Sequence, residues 1–164
     1  MREPMHIPAD LLQRCYAHGI AAYPDEACGI LSGPAEETEA VDAFHPLANI
    51  LNRLHADDPQ RYPRTAREGY VLDPGEFMRL EKRLAAQGAA VRAIVHTHVD
   101  VGAYFSAEDV KQAMWGDMPR YPGVAYLVCG VRRDGPDGAI LARYDEAGGS
   151  FTETEVQPPS GRRG

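Results

Sequence analysis

The sequence predicts an α/β or α+β fold with helices flanking a mixed β-sheet. Three observations point there. Apolar, strand-like runs at 27–32, 91–95 and 124–131 alternate with segments of helical periodicity. Helix starts stand at Pro8, at Asp73-Pro74-Gly75-Glu76 and at Ser106. The final stretch, 140–156, reads as an antiparallel hairpin.

Pro8 and Asp10 open a first helix, whose Leu11, Leu12, Cys15 and Tyr16 share one face and whose end is expected at Gly19. A loop at Tyr23-Pro24-Asp25 leads into a strand at 27–32, and Gly33-Pro34 reads as a turn. Alternation at 39–47 predicts a second strand. Residues 49–69 lack clear periodicity and carry Pro59, Pro63 and a scatter of arginines (Arg53, Arg61, Arg64, Arg67). A long irregular stretch inside a compact domain is often functional; its arginines also fit a solvated loop.

Asp73 caps the next helix, Pro74 suits its first position, and Gly88 closes it behind the stripe Phe77, Leu80, Leu84, Ala85. The strand at 91–95 runs directly into His96-Thr97-His98. After a loop, Ser106 opens a third helix expected to reach Trp115. Residues 124–131 form the most apolar strand, and Gly135-Pro136-Asp137-Gly138 reads as a turn before the terminal hairpin.

A length of 164 residues suits one domain, 1–156, followed by a flexible tail at 157–164 that has nothing to bury. The net charge of −7 and the lack of a dense basic run argue against a nucleic-acid partner. No apolar run has the roughly 20 residues of a membrane span, and the first ten residues lack a signal-peptide core. Cys15, Cys28 and Cys129 are odd in number and far apart, which fits buried thiols in a cytoplasmic protein.

The chemistry concentrates in His96-x-His98, seven residues, Ser106, two residues, Asp109. Two histidines one residue apart on an extended backbone point the same way. Asp109 falls in the first turn of the helix that Ser106 opens. Two nitrogens and one oxygen leave a fourth tetrahedral position for water, the pattern of a catalytic zinc. Ser106 and Asp109 by themselves also make a capping box. A zinc hydrolase further needs a base that is not a ligand. Glu26 can supply it, with Asp25, Glu36 and Asp100 as competitors.

The pair E-x-C-G-x-L-x-G (26–33) and H-x-H-x7-S-x2-D (96–109) resembles the JAMM (MPN-plus) metallopeptidase family over most of residues 8–144. The resemblance implies an α/β fold of the cytidine-deaminase-like architecture. It implies one Zn2+ per chain on His96, His98 and Asp109, with Glu26 as general base and acid. Ser106 would stabilise the oxyanion, a role typically worth a few kcal/mol, on the order of 3. Prolines common in the family after the second His and before the Ser are Val99 and Phe105 here.

The opening Pro24-Asp25-Glu26-Ala27-Cys28-Gly29 looks like the bacterial branch, whose members process ubiquitin-like sulfur-carrier proteins after a C-terminal Gly-Gly. Residues 49–69 are then expected to wall the substrate groove, with their arginines meeting an acidic carrier. A homodimer is compatible with the sequence. The alternative function is a non-catalytic MPN-type binding module, which typically loses the ligand set that is complete here. A cytidine-type deaminase would need a P-C-x-x-C motif, which is absent.

Overall fold

The computed structural model describes residues 5–156. The tail expected at 157–164 lies outside the described residues. The elements run α1 (Ala9–Ala22), β1 (Cys28–Pro34), β2 (Ala43–Leu47), α2 (Leu51–Asp57), α3 (Pro74–Ala86), β3 (Ala89–Val99), α4 (Ala107–Ala113), β4 (Met114–Trp115), β5 (Met118–Pro119), β6 (Ala125–Arg132), β7 (Gly135–Asp145) and β8 (Ser150–Glu155). Six strands form one sheet in the order β2-β1-β3-β6-β7-β8. β3 and β6 run parallel and the other neighbours antiparallel, so the sheet is mixed as expected. No helix among the described residues is long and apolar enough to cross a membrane.

The sheet separates two cores, and the two-residue period of each strand assigns its side chains to one or the other. Ala93 and Val95 of β3 join Leu127, Cys129 and Val131 of β6 beneath α1. Ile94 of β3 joins Tyr126 and Val128 of β6 beneath α3, with Phe77, Leu80 and Leu84. His96 and His98 continue the Ile94 side. All three cysteines are free and buried.

Several elements differ from the sequence expectation. Gly19 does not end α1, which runs on to Ala22. Gly19 instead lets α1 approach the sheet closely: a Cβ there would lie 2.5 Å from Thr97 Cγ2 and 3.1 Å from Val131 Cγ1. β1 continues through Gly33-Pro34, because Gly33 lets the carbonyl of Ala40 pass where a Cβ would stand. The second strand starts only at Ala43. Residues 49–69 contain α2. α4 stops at Ala113, and Met114 to Pro119 fold into a small hairpin, β4–β5. Gly135 to Gly138 are part of β7, and the turn falls one step earlier at Arg133-Asp134. The α3 start matches the expectation: Asp73 Oδ1 accepts from the backbone N–H of Gly75 and Glu76.

Gly19→Ala supplies a test of the α1–sheet contact. Helix propensity alone predicts a gain of about 1 kcal/mol. The contact predicts a loss instead, because Thr97 cannot rotate its methyl away without giving up the 2.8 Å bond that its Oγ1 accepts from Ala27 N–H. Denaturant unfolding should show a lower midpoint, and a stabilised variant would contradict this packing.

Candidate metal centre

The site forms where β3 leaves the sheet. His96 and His98, alternate residues of an extended strand, present their imidazoles on one face. Asp109 reaches them from the first turn of α4. The capping box fixes that carboxylate: Ser106 Oγ accepts from Asp109 N–H at 3.0 Å, and Ser106 N–H donates back to Asp109 Oδ2 at 3.0 Å. Asp109 Oδ1 stands 3.2 Å from His96 Nε2, and Oδ2 stands 3.1 Å from His98 Nε2. One ligand atom from each of the three residues lies within 4.8 Å of the others, and all three residues are buried.

The donor set has the chemistry of a cation site. His96 is fully buried, yet neither of its ring nitrogens has an aligned hydrogen-bond partner among the described residues; nor does His98 Nδ1. Buried polar nitrogens without partners are costly. Two imidazoles and a carboxylate suit zinc, and also other divalent first-row metals. Burial lowers the His96 pKa, favouring the neutral ring with one nitrogen free to offer its lone pair, although the Asp109 carboxylate pulls the other way. Burial by itself would raise Asp109, but His96, His98 and the Ser106 N–H together hold it well below the usual carboxylate range. Tyr70 stacks on His96 at 4.3 Å between ring centroids and closes the inner wall.

Glu26 sits just before β1. Thr97 N–H donates to Ala27 O at 3.0 Å, and Thr97 Oγ1 accepts from Ala27 N–H, extending the β1–β3 pairing one residue beyond Cys28↔His96. Continuing that register sets Glu26 opposite His98 on the same face. The Glu26 side chain is buried, and its carboxyl is pushed up to about 9. Burial is the main cause; the Asp109 charge adds to it and Arg64 works against it. The competitors fall elsewhere: Asp25 accepts from Asn52 Nδ2, Asp100 accepts from the Tyr23 hydroxyl, and Glu36 is exposed on a turn.

Asn49 went unnoticed in the sequence. Its Nδ2 donates to the carbonyls of Glu26 and Gly69, and its Oδ1 accepts from the N–H of Leu51 and Val71. With the bond from Glu26 N–H to Ala66 O (2.7 Å), this stitches segment 66–71 over the Glu26 backbone. The only sequence signal was a pair of Asn residues, Asn49 and Asn52, framing an apolar dipeptide. The result is an open cleft of about 550 Å³. Arg64, Arg67, Glu68, Tyr70, Val101, Tyr104 and Ser106 line it together with Glu26, His98 and Asp109. Arg53 and Arg61 are not part of it.

The profile of the prokaryotic homologues of the JAB domain matches residues 8–141. The chain belongs to this family. Among relatives of this JAB domain, the desampylase of Haloferax volcanii is 30% identical over 133 residues, covering 81% of this chain and 78% of the relative. The CysO-cysteine peptidase of Mycobacterium bovis is 31% identical over 150 residues, covering 92% and 88%. A solved structure from Desulfitobacterium hafniense matches the fold with a TM-score of 0.66 at 22% identity, over 91% of this chain and 88% of that one.

The raised Glu26 pKa has a measurable consequence in the metal-free protein. The unfolded chain releases the Glu26 proton near the ordinary carboxyl value of 4.5, whereas the folded chain keeps it until about 9. Between those values the folded state binds more protons, so stability falls as pH rises. Thermal melts of metal-free wild type and Glu26→Gln should therefore diverge between about pH 5 and about pH 8, with wild type losing ground. Parallel melting curves would contradict the buried, neutral carboxyl. Asn49→Ala, which strands several buried backbone groups, should cost about 1–3 kcal/mol in denaturant unfolding.

Proposed function

We propose that this JAB domain is a zinc-dependent peptidase that hydrolyses the amide bond after the C-terminal Gly-Gly of a ubiquitin-like sulfur-carrier protein. The observation that carries the reading is the geometry of the cleft: three buried donors converge on one point, and a separate buried carboxyl, Glu26, faces the same space. The names of the relatives, desampylase and CysO-cysteine peptidase, support the substrate class. Free, buried cysteines are in keeping with work in the cytoplasm.

In this reading His96, His98 and Asp109 hold the ion. Zinc, when bound there, supplies Lewis-acid polarisation and brings the pKa of water toward about 7. Glu26 takes the proton from the attacking water and keeps it on its carboxyl until the leaving amine collects it. A raised pKa suits this shuttle, and a nearby cation lowers it from its metal-free value. The Ser106 oxygen accepts the cap bond from Asp109, which leaves its hydroxyl hydrogen to donate to the developing oxyanion. Segment 64–70 and the loop carrying Val101 and Tyr104 both line the cleft. A Gly-Gly tail, with no side chains to clash, threads such a slot in extended form.

The test is cleavage of a Gly-Gly-X carrier conjugate by zinc-loaded protein. Chelation should abolish turnover and added zinc should restore it. Glu26→Gln should lower kcat by about 10²–10⁴-fold. Ser106→Ala should lower it by about 10²–10³-fold. Unchanged turnover in Glu26→Gln, or turnover indifferent to chelator, would overturn the mechanism. A folded, zinc-loaded protein that binds such conjugates without cleaving them would favour the binding-module reading.

A further inference from the structure

We propose that Arg64 binds the α-carboxylate of the released residue, so that the cleft prefers substrates in which one free amino acid follows the carrier tail. This inference rests on the peptidase reading above and specifies its leaving group. Arg64 stands within the cleft, half-exposed. Its Nη1 donates to the carbonyl of Glu68 at 3.3 Å, which anchors one edge of the guanidinium. Its Nη2 is 3.9 Å from Glu108 Oε1, beyond hydrogen-bond distance. A loose, solvated ion pair of that kind contributes little and is easily exchanged. The outer edge of the fork is therefore open to a carboxylate, the partner it fits in two-point geometry.

The position of Arg64 relative to Glu26 says which end of the substrate it meets. Hydrolysis adds water across the Gly–X amide: the acyl carbon gains the oxygen, the C–N bond breaks, and the amine leaves with the proton carried by Glu26. The leaving amine therefore lies beside Glu26. In a free amino acid the carboxylate is one carbon from that amine. Arg64 is anchored on the carbonyl of Glu68, in the segment whose Ala66 carbonyl accepts from Glu26 N–H, and Arg64 and Glu26 line the same cleft. Ser106, which in the reading above meets the oxyanion, marks the acyl side of the same cleft.

This placement differs from the expectation that the arginines of 49–69 meet an acidic carrier surface. Arg61 lies outside the cleft with its guanidinium over Tyr62, and Arg64 is flanked by Glu68 and Glu108. Those two carboxylates disfavour a broad acidic face but leave room for a single carboxylate at the guanidinium edge.

The experiment compares two synthetic tail peptides under reducing conditions, both ending Gly-Gly-Cys, one with a free carboxylate and one with a carboxamide. Zinc-loaded wild type should favour the free acid by about tenfold in kcat/KM, mostly through KM. Arg64→Gln should raise KM for the free acid and bring the two peptides level. Glu108→Gln, which removes the competing carboxylate, should lower KM for the free acid. Equal use of both peptides by wild type, or an equal loss on both in Arg64→Gln, would overturn the role of Arg64 and leave the peptidase reading intact. Cleavage of neither peptide by wild type would count against the peptidase reading itself, and against this inference with it.

Discussion

The paired hydrogen bonds between Ala27 and Thr97 hold the site together from its centre. Thr97 is the residue between the two histidines, and Ala27 is the residue after Glu26. Locking the two backbones in register fixes the distance between the histidine face and the carboxyl that faces it. Thr97 also turns its methyl to the opposite side of the sheet, where Gly19 of α1 receives it. The helix on one face therefore supports the chemistry on the other through a single side chain. A one-residue slip of β1 would send Glu26 to the α1 side and leave the histidines without it.

The electrostatics of the cleft follow from placing two carboxyl groups in one buried space. Asp109 is stabilised as an anion by two imidazoles and a backbone N–H, whereas Glu26 has no such set and is pushed toward its neutral form. Environments that drive two carboxyls apart in this way separate a charged role from a proton-carrying one. The imidazole nitrogens left without partners represent a cost that a bound cation would offset. On the proposed reading, the fold tolerates this arrangement because α4 and segment 66–71 border it, and Asn49 satisfies the backbone groups that such an enclosure would otherwise strand.

Much of this was legible in the residues. The mixed sheet could be read from the apolar runs, and the H-x-H-x7-S-x2-D spacing identified the three residues that the structure brings together. These features were visible because they depend on short-range periodicity and on residue types with few other uses. The elements that depart from the sequence pattern share a cause. Gly19 looked like a helix end and Gly135 to Gly138 like a turn, but both owe their glycines to tertiary packing and sheet geometry, which local patterns do not carry. The helix that the sequence carries to Trp115 stops at Ala113, because the hydrophobicity of Met114 and Trp115 suits either state and pairing with Met118 and Pro119 decides for strand. The organisation of 49–69 was invisible because it is built from Asn side chains bonding to distant backbone, a long-range arrangement without a period.

On the proposed reading, His96, His98 and Asp109 form one zinc site. Its most direct test is elemental analysis of untagged protein, purified without added chelator, for wild type, His98→Gln and Asp109→Ala, with circular dichroism to establish that each is folded. Such a site requires about one zinc per wild-type chain and a clear loss in both folded variants. A wild-type chain that stays metal-free after zinc is added back, or folded variants that retain a full complement, would contradict it.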